Sequence, residues 1–145
     1  MATPPAETRE LASDLVMYAA RLVRGVRRTQ QLPASTRILS VIDEYGALGI
    51  SQLAAADRSS QPSMSAAVNQ LVEQGLVDKQ PNPEDGRGSV ITLTGAGRRE
   101  LSRVRRHNGD LVADRLALAG HTPEELATAV AVLRDALITD EKGTA

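Results

Sequence analysis

Cysteine is absent from all 145 residues. Disulfides, thiolate metal sites, thiol redox sensing and cysteine nucleophiles are therefore excluded together. Phenylalanine and tryptophan are also absent, and aromatics make up 1% of the chain, which argues against a stacking platform for single-stranded nucleic acid. The two histidines, His107 and His121, fall on different predicted segments. No HExxH, nucleophile elbow or phosphate loop occurs. Gly95-Ala96-Gly97 opens a helix after a strand but lacks the third glycine of a dinucleotide fingerprint. These absences predict no catalysis, no metal and no cofactor. No apolar run approaches the roughly 20 residues that span a bilayer. The opening MATPPAETRE lacks the basic-then-apolar order of a secretory signal. A cytoplasmic protein without a membrane partner is the expectation.

Charge of one sign is also lacking: the formal net charge is −1, against indiscriminate coating of nucleic acid. Its distribution is more telling. Arg21, Arg24, Arg27 and Arg28 form one basic cluster; Arg98, Arg99, Arg103, Arg105 and Arg106 form another, interrupted only by Glu100. The stretch 123–141 instead carries Glu124, Glu125, Asp135, Asp140 and Glu141 against Arg134. Lysine occurs only at Lys79 and Lys142, so arginine is the default cation. Most of these arginines read as solvated or paired with acids, as helix-surface charges usually are.

What is present centres on LVDKQPNPEDGRGSVITLT, residues 76–94. Two β-prone runs, Leu76–Lys79 and Val90–Leu93, flank a tip carrying Pro81, Pro83, Asp85, Gly86, Arg87 and Gly88. Glycine, proline and aspartate supply the backbone angles of a reversal, so the segment predicts a β-hairpin with a protruding loop. A helix from about Gln61 to Gln74, stopped by Gly75, precedes it. Its buried face is expected to be Met64, Ala67, Val68, Leu71 and Val72, its polar face Ser63, Ser65, Ala66, Asn69 and Gln70. A shorter helix holding Leu53, Ala54 and Ala55, with Ser51 as N-cap, comes before it across a turn at Asp57–Ser60. Two short helices and a tight turn followed by a hairpin form a winged helix-turn-helix, which makes DNA the first partner to consider.

Around this centre, Leu11, Leu15, Tyr18, Leu22 and Val26 recur every three or four residues on one amphipathic helix. Gln30-Gln31-Leu32-Pro33 ends it. A second helix, about Ser35 to Tyr45, buries Ile38, Leu39, Val41 and Ile42. Gly46 and Gly49 bracket a linker in which Ile50 can serve as a small edge strand. Thr94 fits the N-cap of a long helix through Leu101, Val104, Leu111, Val112 and Leu116, with Asn108-Gly109 a candidate interruption. Thr122-Pro123-Glu124-Glu125 opens a last helix carrying Leu126, Val130, Leu133 and Leu137. The fold class is mainly α with a small antiparallel β-hairpin as wing. The outer stripes exceed what a small central lobe can cover. A self-contained bundle is one solution; heptad-like spacing at both chain ends favours a homodimer.

From Gly49 to Leu101 the chain resembles the MarR family of transcriptional regulators. The resemblance rests on Leu71-Val72-Glu73-Gln74-Gly75-Leu76-Val77, on Pro83-Glu84-Asp85-Gly86-Arg87, and on Val90-Ile91-Thr92-Leu93-Thr94 with Gly97, together with the spacing between them. It implies a single domain over 1–145, with a winged helix-turn-helix lobe at 33–97 and dimerisation helices at 8–31 and 98–140. It also implies a homodimeric regulator, a repressor more than an activator, on a pseudo-palindromic double-stranded operator. Arg87, at the wing tip, suits a narrow electronegative minor groove, and relatives use an aspartate such as Asp85 to hold that arginine extended. Gln61, Ser63, Ser65 and Asn69 would face the major groove, where Gln and Asn can read adenine edges and Ser a base or phosphate; capping or solvent exposure is the plainer role for the serines.

One departure is plain: relatives often carry basic residues on this helix, yet none occurs between Gln61 and Gln74. Phosphate anchoring then falls to Arg58, Lys79 and Arg87, with Arg37, Arg98 and Arg99 as further candidates. The resemblance next implies a small aromatic or anionic effector, for which Tyr18, Arg21 and Tyr45 would line a cleft. A protein-interaction module that has lost DNA binding, and a ligand-binding bundle, are the rival readings.

Overall fold

The computed structural model describes residues 3–84 and 86–138. Its elements run α1 (Ala6–Gln30), α2 (Ala34–Tyr45), α3 (Ile50–Asp57), α4 (Gln61–Glu73), β1 (Val77–Pro81), β2 (Ser89–Leu93), α5 (Gly95–Leu118) and α6 (Pro123–Ile138). The chain divides into two compact units between Arg106 and His107.

In the first unit the core gathers Ile38, Leu39 and Ile42 of α2, Leu53 and Ala54 of α3, Met64, Val68 and Leu71 of α4, Val77, Ile91 and Leu93 of the hairpin, and Leu101 of α5. Each large aliphatic side chain so buried contributes about 1.5–3 kcal/mol. The i, i+4, i+7 spacing of Met64, Val68 and Leu71 puts one face of α4 into this core. Ala67 is half-buried, whereas Val72, expected inside, is 39% exposed. A 100° step per residue carries Val72 off the stripe centred on the other three.

Caps explain the element ends. Gln31 and Gly46, both at positive φ, terminate α1 and α2. The cap of α3 is Gly49, not Ser51: the Gln52 side chain accepts the Gly49 N–H at 2.9 Å. The extra bridge to the hairpin likewise comes from Leu48, not Ile50; Leu48 and Ile91 exchange hydrogen bonds of 3.2 and 2.7 Å. Ile50 is instead the first residue of α3. Ser60 caps α4, its hydroxyl accepting the Ser63 N–H at 3.2 Å.

The hairpin is antiparallel, with Val77 opposite Leu93, Lys79 opposite Ile91 and Pro81 opposite Ser89. Only Val77 of β1 is buried, so that strand leaves the core after one residue. The loop is closed by the Asn82 N–H donating to the Gly88 carbonyl at 2.9 Å and by the Glu84 N–H donating to the Asn82 side chain at 3.0 Å. Asn82 thus supplies the side-chain turn that asparagine forms readily.

The end of α4 is bound to the start of α5. Gly75, at φ 74°, donates to Val72 at 3.0 Å, and Leu76 donates to Leu71 at 3.0 Å. This is the paired closure typical of a glycine-terminated helix. The Thr94 hydroxyl donates to the Gly75 carbonyl at 2.6 Å and accepts the Gly97 N–H at 3.0 Å; the Thr94 N–H reaches the Leu76 carbonyl at 3.1 Å. Thr94 therefore caps α5 and ties it to the α4 terminus. A Cβ at Gly97 would lie 2.0 Å from the Leu76 carbonyl oxygen.

α5 continues without interruption through Asn108-Gly109; the surrounding helix formers and its backbone ladder outweigh one glycine. In the second unit, Thr122 and Glu125 form a reciprocal box, the Glu125 N–H reaching the Thr122 hydroxyl at 3.2 Å and the Thr122 N–H the Glu125 carboxylate at 3.1 Å. That bond, with His121 beside it, lowers the Glu125 pKa. Among the described residues no helix is long and apolar enough to cross a membrane.

Gly97→Ala should lower unfolding free energy by about 2 kcal/mol or more, because backbone rather than a flexible side chain blocks the added methyl. Urea denaturation tests this; a wild-type midpoint and slope would contradict the close approach.

Candidate nucleic-acid interface

The outward face of α4 is built by exclusion. With Met64, Val68 and Leu71 inside, the exposed positions are Gln61, Pro62, Ser63, Ala66, Asn69, Gln70, Val72 and Glu73, and Ser65 is half-buried on the flank. Gln61, Ser63 and Asn69 are thus presented to solvent. Ser63 is also engaged locally, since its hydroxyl accepts from the Ser60 hydroxyl at 2.9 Å. Ala66 leaves the centre of the face low, and Pro62 removes a backbone donor without cost in the first turn. The face carries no cation; Glu73 at its far end is acidic.

Cations flank this helix instead. Arg58 and Lys79 are exposed. Arg58 closes α3 at φ 55°, ψ 39°, a left-handed conformation. That region costs a side-chain-bearing residue about 1 kcal/mol relative to glycine. Arg87 is exposed on the hairpin loop, two residues before β2. Asp85, its expected support, lies outside the described residues.

Arg37 in α2 is held by Asp57 at the end of α3. Its Nε bonds one carboxylate oxygen and its Nη2 the other, the latter at 3.2 Å. The Asp57 side chain is 7% exposed and that of Arg37 43% exposed, so the acid is turned inward and the guanidinium outward. Arg37 holds the Asp57 carboxyl below its ordinary value, with the charge of Arg27 contributing. Other arginines are committed elsewhere: Arg103 to Glu100 at 2.7 Å, Arg105 to Asp43 at 2.9 Å, and Arg98 to the Leu93 carbonyl at 3.3 Å. The Arg37–Asp57 pair carries no signature in spacing, whereas Ser60 ahead of Pro62 and Asn82 ahead of Pro83 are local cap and turn signals.

A cavity of about 430 Å³ opens beside the hairpin, lined by Ile42, Asp43, Gly46, Ala47, Thr92, Leu93 and Arg98. Tyr18 and Tyr45 are 59% and 64% exposed, and Arg21 is exposed; none of the three lines that cavity.

The geometry, an exposed short helix abutting an arginine-tipped hairpin, has clear counterparts. A family model, the MarR family, matches residues 33–89. An HTH-type transcriptional regulator of Mycobacterium tuberculosis is 31% identical over 134 residues, 90% of this chain and 94% of that protein. The chain belongs to the MarR family. It is accordingly a helix-turn-helix transcriptional regulator, of a family of non-enzymatic DNA-binding proteins. The HTH-type transcriptional repressor IacR of Pseudomonas putida is 29% identical over 87 residues, 60% of this chain and 52% of that one. A mutant MarR of E. coli complexed with operator DNA superposes with a TM-score of 0.56 at 21% identity, covering 91% of this chain and 94% of that one. At that identity the likeness is one of fold. The MarR fold here has its mainly helical frame and two-stranded wing.

The Arg37–Asp57 pair gives this MarR-family chain an acid-sensitive contact. A carboxyl whose folded-state pKa is depressed stabilises the fold above its ordinary value of 3.8 and loses that contribution as pH falls through the lower folded-state value. Asp57→Asn should therefore remove part of the stability loss below about pH 4, leaving a flatter acid limb. Thermal unfolding from about pH 2 to about pH 6 measures it; parallel wild-type and variant curves would contradict the pairing.

Proposed function

We propose that the protein is a homodimeric repressor that reads a pseudo-palindromic duplex operator. The observation that carries this reading is the fixed junction between α4 and the wing, which presents the cation-free polar face and Arg87 together. Each α4 enters a major groove, where Gln61 and Asn69 meet base edges and Ser63 and Ser65 a base or phosphate. Each wing lays Arg87 in the flanking minor groove, with Asp85 as its support, and Arg58 and Lys79 contact phosphates. Two half-sites then lie about one helical turn, roughly 34 Å, apart.

Dimerisation is supported by apolar residues that the single chain leaves exposed. On α1 these include Leu11, Val16, Tyr18 and Leu22; on α6 they include Leu126, Val130, Leu133 and Leu137. Stripes of this size on long helices are the surfaces that symmetric association covers. A small aromatic or anionic effector acts at a cleft that includes Tyr18, Arg21 and Tyr45, all three exposed on the single chain. It relieves repression by favouring a recognition-helix spacing that duplex DNA does not accept.

The absence of Arg and Lys from α4 favours one rival, a winged helix that binds protein and not DNA. Selection of bound fragments from a random duplex library separates the two: the DNA reading predicts a recovered inverted repeat, the rival no enrichment at low salt. On a recovered duplex, Arg87→Ala should weaken binding by roughly tenfold or more without altering the circular dichroism spectrum. Unchanged affinity at matched salt would remove the wing from the mechanism.

A further inference from the structure

The turn between α3 and α4 closes α3 through a left-handed residue, with the Arg58 and Ser59 N–H groups donating to Ala55 and Ala54, yet closure does not require that residue to be a cation. Arg58 occupies a left-handed backbone position at φ 55°, where glycine is the unstrained residue. A strained position occupied by a long exposed cation points to a use for its side chain. Beside it in sequence, Asp57 grips Arg37 by a single edge, through Nε and Nη2. A guanidinium carries five N–H donors in a flat fork. With that edge on the carboxylate, both Nη1 donors and one Nη2 donor remain on the outer edge. The Arg37 side chain is 43% exposed against 7% for the acid, so the arginine is the solvent-accessible member of the pair.

We propose that the α3–α4 turn is a phosphate clamp of this regulator in which Asp57 is a positioning residue, aiming the outer edge of Arg37, with Arg58, at the backbone of one DNA strand. The clamp rests on the DNA-binding reading above and deepens it. It answers the shortage of cations on α4, because it places two forked donors at the amino end of that helix and not along it. Arg–phosphate recognition by such a fork is directional, so holding the guanidinium matters as much as its charge. The carboxylate cancels one positive charge at the site, yet it fixes the geometry in which the other donors bind.

That sign makes the test sharp. Binding to the selected duplex is measured against salt for the wild type, Arg58→Gly, Asp57→Asn and Arg87→Ala, with melting temperatures for each. Arg58→Gly should melt at or above the wild-type temperature, bind about fivefold more weakly, and show a salt slope shallower by about 0.9 per protomer. Asp57→Asn should also bind more weakly, although it adds a positive charge; an acid that merely repels DNA would give tighter binding. Arg58→Gly with wild-type affinity and slope, or Asp57→Asn with improved affinity, overturns the clamp. If Asp57→Asn does not fold, Arg58→Gly decides alone. Loss of affinity in Arg87→Ala with neither turn variant affected overturns the clamp and leaves the DNA reading standing. A wild type that binds no duplex overturns both.

Discussion

At Gly97 the chain passes so close to the Leu76 carbonyl that a methyl group would meet it at 2.0 Å. Around that approach Thr94 joins three pieces of backbone, bonding Gly75, Leu76 and Gly97 with its hydroxyl and amide. The end of α4, the return strand of the wing and the first turn of α5 are thereby held as one body. On the proposed reading, a helix and a hairpin enter neighbouring grooves of one duplex and need a fixed angle between them, and side-chain packing alone sets angles loosely. Backbone contact at a glycine sets it closely. The requirement explains why a threonine and a glycine three residues apart stand at the start of a long helix whose interior is otherwise rich in arginine.

The placement of charge follows a consistent logic. Helix α4 offers amide and hydroxyl groups on a low-relief face, while the cations stand at its borders, at Arg58, Lys79 and Arg87. Contacts to phosphate fix register, and contacts to base edges discriminate sequence. On the proposed reading, segregating the two lets the central face approach bases without a competing attraction to the backbone. Elsewhere the arginines of α5 are tied to Glu100, Asp43 and the Leu93 carbonyl. Arg105 and Arg98 tie α5 to α2 and to the end of β2, whereas the Arg103–Glu100 pair lies within α5 itself.

Much of this was legible from residue spacing. The apolar period of Met64, Val68 and Leu71 identified the recognition helix, and the Pro-, Gly- and Asp-rich tip between two β-prone runs identified the wing. Thr94 and Thr122 stood at positions where hydroxyls cap helices, and both do so. Where spacing misled, a neighbour's side chain or a small angular offset was responsible. Gln52 reaches back to Gly49 and displaces Ser51 from the cap; Leu48, two residues before Ile50, meets the wing. Val72 lies one residue beyond the buried stripe. Glycine at position 109 does not interrupt α5. The Arg37–Asp57 pair joins residues 20 apart in sequence, a pairing set by how α2 and α3 pack and written in no local pattern.

The central claim is that two copies of one rigid reading unit meet a single face of duplex DNA. Hydroxyl-radical footprinting of the protein on a selected operator tests it most directly. The account predicts two symmetric protected blocks with centres about 10 base pairs apart, each bordered by protection across the adjacent minor groove. One isolated block, or uniform protection without periodicity, would contradict it.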